Sequence, residues 1–250
     1  MPLLGKGVAA IWHDIGEDVE ADYHHWHCHE HIPERVSVPG FLRGRRFAPV
    51  SGSPRFFHFY ETETVETLTS DAYLTRLNDP TPWTQRVVPH FRNSNRTLAA
   101  VVGSFGQGIG AAIISIQLAP SAGKASNLQE MLLSAMPEWV EREGIVGAHL
   151  LRGDQDASHV QTEEKAMRGR ADDVADWVIL VEGLEVRYLE ALREKELSDA
   201  ALAAAGAANL NAGLYRLHFV LNKTDMAEAP GGFCFWSRRS IHSPPYAGGD

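Results

Sequence analysis

The sequence predicts an α+β fold made of two tandem repeats, each with the element order βαββαβ. Three observations predict it. Runs of β-branched and aromatic residues alternate with segments of helical spacing, the same order of elements occurs twice, and the first helix of each repeat ends at a glycine. With 250 residues and 44% hydrophobic content, the chain is long enough for one large core or for two domains of about 100 to 125 residues.

The eight predicted strands divide equally between the repeats. They are 7–15, 41–50, 55–61 and 97–104 in the first repeat, and 108–118, 145–152, 176–182 and 214–222 in the second. The predicted helices are 18–38, 65–77, 126–143 and 184–205. Ser126 is the expected N-cap of the third helix because Gln129 follows three residues later, and Gly40 and Gly144 are expected to supply left-handed C-caps.

This order is the split βαβ arrangement of the ferredoxin-like fold, in which both helices cover one face of a sheet. The other face is bare, so we expect the two repeats to pack sheet to sheet and to enclose a pocket between the sheets. The expected division is 1–106 for the first repeat, 107–226 for the second and 227–250 for a C-terminal tail. A polar insert at 153–175 is either a lid or a mobile surface loop. Within the tail, Phe233, Phe235 and Trp236 are expected to dock on the barrel.

Composition excludes several classes of partner. The 32 acidic and 23 basic residues give a net charge of −9, which argues against nucleic acid. Nowhere do 18 apolar residues follow one another, so no membrane segment is expected. The two cysteines, Cys28 and Cys234, are too few for a disulfide framework. We therefore expect a cytoplasmic monomer or homodimer that acts on a small-molecule substrate.

Two stretches carry a family resemblance: 23–35 (YHHWHCHEHIPER) and 39–47 (PGFLRGRRF). They resemble the dimeric α/β barrel superfamily, and more closely its members related to the ethyl tert-butyl ether degradation accessory proteins. Residues 53–55, 59–61, 78–86 and 89–92 fit the same group. The resemblance implies a single-chain dimeric α/β barrel that binds small, often aromatic molecules. Because the superfamily includes cofactor-free isomerases, cyclases and monooxygenases as well as haem-dependent branches, it does not choose a reaction. Cys28 and His29 stand where many relatives carry acidic residues.

Histidine is the compositional anomaly, since five of the 12 histidines fall between His24 and His31. A helix would place His25 and His29 on one stripe. It would place a larger set on the neighbouring stripe: His24, His27, Cys28, His31 and Arg35. Pairs of histidines four residues apart can chelate a metal, and the alternative is a set of exposed, solvated side chains.

His31 is the first candidate for a general acid or base. Pro33 should kink or stop the helix just past His31, which would place this imidazole at the barrel rim. The negative end of the helix dipole should then draw the pKa of His31 towards neutrality. The alternative is a histidine that only caps free carbonyls.

His13 and His58 fall on strands that neighbour each other in this topology. With His31 they form either a three-histidine metal site or an acid/base set that includes Tyr60 as a hydrogen-bond donor. The alternative is a group of core histidines with satisfied hydrogen bonds. The candidate metal ligands are His13, His31, His58 or His27.

Candidate substrate contacts include the basic second strand. Arg46 is expected to orient a carboxylate or enolate, although two of Arg43, Arg45 and Arg46 could simply protect an exposed sheet edge. The other candidates are Trp12, Phe56, Trp83 and His218. Trp83 covers the pocket mouth or fills the core, and His218 is a core residue or lines the cavity.

The leading functional hypothesis is a cofactor-independent lyase, isomerase or cyclase that acts on a small apolar or aromatic substrate. Its catalytic residues would be His31, His13, His58 and Tyr60. One alternative is an enzyme that uses a divalent metal or haem with barrel histidines as ligands, and another is a non-catalytic accessory protein that binds a small ligand. The second repeat has no histidine cluster in its matching helix, so one active centre per chain is expected.

Overall fold

The computed structural model describes residues 3–226, in which eight antiparallel strands close into a barrel in the order β1-β3-β2-β8-β5-β7-β6-β4. The strand β1 begins and ends where the sequence predicts, whereas β4 and β8 begin earlier than predicted and β5 begins later. The strands are β1 (Gly7–Ile15), β2 (Phe41–Gly52), β3 (Phe56–Thr62), β4 (Phe91–Gly106), β5 (Ala112–Pro120), β6 (Ile145–Gly153), β7 (Trp177–Gly183) and β8 (Ala207–Asn222).

The barrel confirms the predicted pair of facing ferredoxin-like sheets. Hydrogen bonds between β2 and β8 and between β4 and β6 also join the two sheets along both sides. The strand β2 therefore lies between β3 and β8 and is not an edge. The expectation that two of Arg43, Arg45 and Arg46 lie on an exposed edge is wrong, because β2 is paired on both sides and all three side chains are buried. The first helix covers Arg46.

The long first helix forms as predicted, but as four consecutive segments between Glu17 and Ser37. Helices of both repeats cover the outer face of the barrel. Gly40 (φ 83°) and Gly144 (φ 75°) adopt the predicted left-handed conformation. The predicted cap at Ser126 is wrong, because the helix begins at Ala125 and Lys124 precedes it without a side-chain cap. First-repeat helical segments are Glu17–Val19, Glu20–Trp26, His27–His31, Ile32–Ser37, Glu66–Thr69, Asp71–Asn78, Pro82–Val87 and Val88–His90; those of the second repeat are Ala125–Val140, Gln155–His159, Glu163–Met167, Val186–Arg193, Asp199–Ala204 and Lys223–Asp225.

The barrel interior is packed with side chains from both repeats. Trp12 stacks on Phe57 with ring centroids 4.9 Å apart, and its indole N–H donates to Ser115. Nearer the other end of the barrel, the buried Arg45 guanidinium lies between the carboxylates of Glu61 and Glu182. The expectation of a substrate pocket between the sheets is wrong, because these aromatic rings and ion pairs occupy that space.

The polar insert crosses from the second repeat to the first. It contains two short helices, and Glu164 forms a buried ion pair with Arg35 of the first helix. The backbone N–H of Glu163 donates to Asn78 Oδ1 at 3.0 Å, and Met167 packs on the aromatic cluster beneath the first helix. The insert thus forms part of the cover over the first repeat.

Two expectations concern the ends of the chain and the membrane. The predicted docking of Phe233, Phe235 and Trp236 lies outside the described residues. Across residues 3–226, no helix has both the length and the apolar character needed to cross a membrane.

Candidate active site

Four imidazoles meet between the barrel wall and the first helix. His13 comes from β1, His58 from β3, and His27 and His31 from the helix; all four are buried. Ring centroids lie 4.4 Å apart for His27 and His58, 5.3 Å for His27 and His31, and 5.4 Å for His13 and His58. These four residues are called the imidazole cluster below.

The cluster lies outside the barrel because side chains alternate along a strand. Trp12 and Phe57 point into the barrel, so their neighbours His13 and His58 point outwards, towards the helix. The expectation that these imidazoles border a cavity between the sheets is therefore wrong in its placement. The expectation that His13, His58 and His31 lie together is consistent with the structure.

A widened turn of the first helix positions His27 and His31. Residues His27–His31 form a π-helical turn, closed by a hydrogen bond from the N–H of Ile32 to the carbonyl of His27. The prediction that Pro33 kinks or stops the helix is wrong, since Ile32 keeps helical angles (φ −63°, ψ −48°) and the helix continues to Ser37. Pro33 lies in the first turn of the last segment, where a missing N–H is tolerated. His31 is consequently covered by helix and does not lie at a barrel rim.

Polar atoms of the cluster have no hydrogen-bond partners in the described chain. The alternative of core histidines with satisfied hydrogen bonds therefore fails for these groups. A buried donor or acceptor without a partner costs about 1 to 3 kcal/mol, so such a concentration requires an explanation. The atoms are Nδ1 and Nε2 of His13, Nδ1 and Nε2 of His27, Nδ1 of His31, Nδ1 of His58 and Oη of Tyr60.

Burial keeps the imidazoles neutral. It lowers the pKa values of His13 and His27, and their proximity to His58 lowers them further. The pKa of His58 falls to about 3 because of burial and then of the nearby Arg46 guanidinium. The expectation that the helix dipole draws the pKa of His31 towards neutrality is wrong, because burial and Arg35 lower it well below its usual value.

Arg46 reaches the cluster from β2. Its guanidinium is 1% exposed, donates to Cys28 Sγ at 3.3 Å and contacts His24 Nδ1, and it lies over the Tyr23 ring at 5.0 Å. The side chain of His24 is 37% exposed, which places solvent next to this guanidinium. Arg46 therefore connects the buried imidazoles with the surface.

The other predicted contacts are distributed unevenly. Phe56 lies 5.8 Å from His13 between ring centroids, within the site, whereas Trp12 lies inside the barrel. Trp83 is half-buried, donates to Asp22 and lies 5.1 Å from the His25 ring on the outer side of the helix. The prediction that His218 is a core residue is wrong, because it lies exposed where the β2–β8 register shifts, 6.1 Å from His24.

Three aromatic residues of the site were not among its predicted residues, and one of them, Trp26, lies 4.3 Å from His31 between ring centroids. Phe91 stacks on His13 with centroids 4.0 Å apart, and Tyr23 packs against His13 and His27. Tyr23 lies four residues before His27, so the helical stripe could have revealed it. Phe91 begins β4 several residues before its predicted start, and nothing in its local sequence indicated this contact.

The second histidine pair of the helix behaves as the solvated alternative predicts. His25 and His29 are exposed, their rings lie 4.5 Å apart, and His29 Nδ1 is 3.0 Å from the His25 carbonyl. The two pairs share one helix and one sequence spacing. Their different burial comes from the face that each presents to the barrel.

Comparison with known proteins supports the fold. No protein-family model and no curated protein matches the sequence. Similar solved structures include an anthrone oxidase-like protein (TM-score 0.59, 12% identity, 89% of this chain and 95% of that one). A candidate monooxygenase from Fusobacterium nucleatum matches with a TM-score of 0.57 and 9% identity, over 88% of this chain and 96% of that one. A candidate monooxygenase from Lactobacillus acidophilus matches with a TM-score of 0.53 and 6% identity, over 87% of this chain and 97% of that one. The chain therefore has the dimeric α/β barrel fold in single-chain form.

The haem alternative is not favoured by this geometry. Neighbouring rings of the cluster have centroids 4.4 to 6.4 Å apart, which leaves no gap for a porphyrin between them. One ring nitrogen each of His27, His31 and His58 can be chosen so that the three atoms lie within 4.8 Å of one another.

Proposed function

We propose that this chain is an enzyme that moves a proton on a small, largely apolar molecule that is an anion or becomes one during the reaction. The proposal rests on one observation, the lack of a carboxylate partner for Arg46. This buried guanidinium forms no ion pair with a carboxylate within residues 3–226, and it contacts Cys28 and His24 beside the imidazole cluster. The reaction would be an isomerisation, elimination, cyclisation or C–C cleavage.

The other buried arginines of the barrel region show how unusual Arg46 is. Arg35 pairs with Glu34 and Glu164, and Arg45 pairs with two carboxylates inside the barrel. A buried charge costs several kcal/mol unless an opposite charge compensates it. An anionic substrate would supply the missing partner, because a guanidinium binds a carboxylate or enolate through two parallel hydrogen bonds.

Neutral imidazoles next to this cation can accept the proton. Arg46 itself lowers the pKa values of His13, His27 and His58, after burial in each case. An anion bound to Arg46 would offset that contribution and raise these pKa values. A base is most effective when its pKa lies near the working pH, so substrate binding would prepare the imidazoles for proton transfer.

The surroundings favour a substrate with an apolar body. Aromatic rings line the cluster, among them Tyr23, Trp26, Phe56 and Phe91. Neighbours in fold include an anthrone oxidase-like protein and candidate monooxygenases. Removal of a proton from an enolisable aromatic molecule also gives the carbanion that reacts with oxygen, so oxygen uptake is a useful second measurement.

The proposal can be tested by hydrogen–deuterium exchange. Purified protein would be incubated in deuterated buffer with enolisable aromatic ketones, keto acids and phenols, and exchange would be followed by NMR. We expect exchange of at least one compound and about a 100-fold slower rate for Arg46→Leu, since truncating one side of a buried charge pair costs about 2 to 5 kcal/mol. The leucine is the residue that the second repeat carries at the matching position, Leu150.

The matched control is Arg152→Leu, which removes an exposed arginine from β6 and should leave exchange within about twofold. Arg46→Lys keeps the charge but cannot form two parallel hydrogen bonds with the anion. Its exchange rate should lie between those of wild type and Arg46→Leu. If Arg46→Leu exchanges at the wild-type rate, or if no compound exchanges and none binds in an Arg46-dependent way, the proposal is wrong.

A further inference from the structure

We propose that His27, His31 and His58 bind one divalent transition-metal ion. One ring nitrogen from each residue can be chosen so that all three lie within 4.8 Å of one another. The catalytic use of the ion rests on the function proposed above, whereas its binding rests on this geometry alone. With the lone pairs of His27, His31 and His58 on the ion, His13 is the member of the imidazole cluster left to accept the proton. His27 and His31 have the spacing of four residues that can chelate a metal, and the third histidine comes from the distant strand β3.

The space between the nitrogens is of the size of an ion. A point equidistant from three atoms 4.8 Å apart lies about 2.8 Å from each of them. Metal–imidazole bonds are about 2.0 to 2.1 Å long, so each ring must move by less than about 1 Å. Rotation about the side-chain torsions provides such a movement without a change of backbone.

A bound metal ion would give partners to buried ring nitrogens that otherwise have none. Both nitrogens of His27, and Nδ1 of His31 and of His58, are buried without partners in the described chain. The fold does not demand these polar groups, because the register places Ile179 of β7 where β3 carries His58. A metal ion would use lone pairs that are otherwise left without any interaction.

The charges around the site are compatible with a cation once an anion is present. Arg35 is compensated by Glu34 and Glu164, and Arg168 of the insert by Asp172. Arg46 is the remaining nearby cation, and it would repel the ion in the absence of substrate. An anionic substrate placed between Arg46 and the ion would be attracted by both, which joins the metal site to the proposed function.

Two elements supply the ligands and leave coordination positions open. The π-helical turn presents His27 and His31 with ring planes 25° apart, and β3 presents His58 from the opposite side. Three protein ligands are typical of catalytic metal sites, which keep a position for water or substrate. His13 and Tyr60, whose side-chain polar atoms are also unpartnered, are close enough to hydrogen-bond a molecule bound there. An all-imidazole set suits zinc, iron, cobalt, nickel or copper.

The test uses the full chain without an affinity tag, stripped with a chelator and then titrated with Zn²⁺ by calorimetry and with Co²⁺ by visible absorption. We expect one ion per chain and a visible Co²⁺ spectrum of a site with nitrogen ligands. His58→Ile introduces the residue of the second repeat and should weaken binding at least 100-fold. Circular dichroism of His58→Ile and of a second variant, His27→Leu, would establish that both fold.

The matched control comes from the same helix. The double variant His25→Gln, His29→Gln removes the exposed pair with the same spacing and should retain wild-type affinity and stoichiometry. Arg46→Leu should bind the ion at least as tightly as wild type, so a failure of the proposed reaction leaves the metal result intact. Wild-type affinity in a folded His58→Ile protein, or loss of binding in the His25/His29 double variant, overturns the metal site.

Discussion

The two repeats share a backbone plan but fill the space between sheet and helix in opposite ways. In the first repeat, His58 pairs with Ile11 on one side and Arg46 on the other. In the second repeat, the same register gives Ile179 between Ile116 and Leu150. The helix above that surface contributes Leu128, Leu132 and Met136, all buried.

This difference separates what the fold requires from what the chemistry requires. Aliphatic side chains close the second interface completely, so the same architecture is stable without any imidazole. The first interface carries unpartnered polar atoms instead. Inside the barrel the two carboxylates correspond, since Glu61 and Glu182 occupy matching positions of β3 and β7 and both bind Arg45. The counterpart of Arg45 on β6 is His149, which also contacts Glu182 at 3.2 Å. We therefore interpret the shared interior as structural and the imidazole cluster as the place of the proposed function.

The largest expected effect is a loss of stability when the buried ion pairs inside the barrel are broken. Arg45→Met removes the cation between Glu61 and Glu182. Glu61 keeps its ion pair with Arg43, whereas Glu182 is left without an arginine and keeps its contacts with His149 and the Gly110 N–H. We expect a loss of about 3 to 5 kcal/mol in the free energy of unfolding, measured by urea denaturation at neutral pH. Arg152→Met, an exposed change, should cost less than about 0.5 kcal/mol. A loss below about 1 kcal/mol for Arg45→Met would show that the ion pairs do not hold the repeats together.

The sequence was sufficient for most of the fold, and the reason is periodicity. Alternating and helical patterns repeat over many residues, so β1, β3 and the first helix were placed to within a few residues. The same alternation grouped His58 with Phe56 and Tyr60. It did not say which face of the strand points into the barrel, and that single binary choice moved the site from between the sheets to beneath the helix.

The errors at the site have a common physical cause. The pKa of His31 depends on burial, and burial of His31 depends on β3, on Arg35 and on an insert more than 100 residues away. The π-helical turn His27–His31, after which the helix continues through Pro33, likewise has no local sequence pattern that predicts it. These features depend on contacts between segments that are distant in the sequence. Patterns of neighbouring residues do not reveal such contacts.

The second prediction moves the chemistry of one repeat into the other. Ile179→His places an imidazole among Ile116, Leu150 and the helix above them, where no ligand or partner exists in the described chain. We expect a loss of about 3 kcal/mol in unfolding free energy, from the lost apolar burial and the unsatisfied ring nitrogens.

Ile179→Val is the matched control and should cost about 1 kcal/mol, because it removes one methyl group without adding a polar atom. Chemical denaturation of both variants in the same buffer gives the comparison. If Ile179→His were as stable as Ile179→Val, the second interface would accept imidazoles freely, and the contrast between the repeats would carry no functional meaning.

The smallest expected effect is a change in how steeply the free energy of unfolding depends on pH, measured on chelator-treated protein. Burial lowers the pKa values of the four cluster histidines in the folded chain, so the unfolded chain binds more protons below its ordinary histidine pKa. Their stabilisation is thus complete above about pH 6.5 and is lost as the pH falls towards the folded pKa, about 3 for His58. Each neutral imidazole contributes up to about 1.4 kcal/mol per pH unit in that window.

His58→Ile removes one of these groups and supplies the aliphatic residue of the second repeat. Between about pH 6 and pH 4, its unfolding free energy should fall less steeply than that of wild type, by about 1.4 kcal/mol per pH unit. Ile179→Val should keep the wild-type slope, because it changes no titratable group. Parallel slopes for His58→Ile and wild type would mean that His58 is already protonated in the folded chain. That result would remove the neutral lone pair on which both the base and the metal ligand depend.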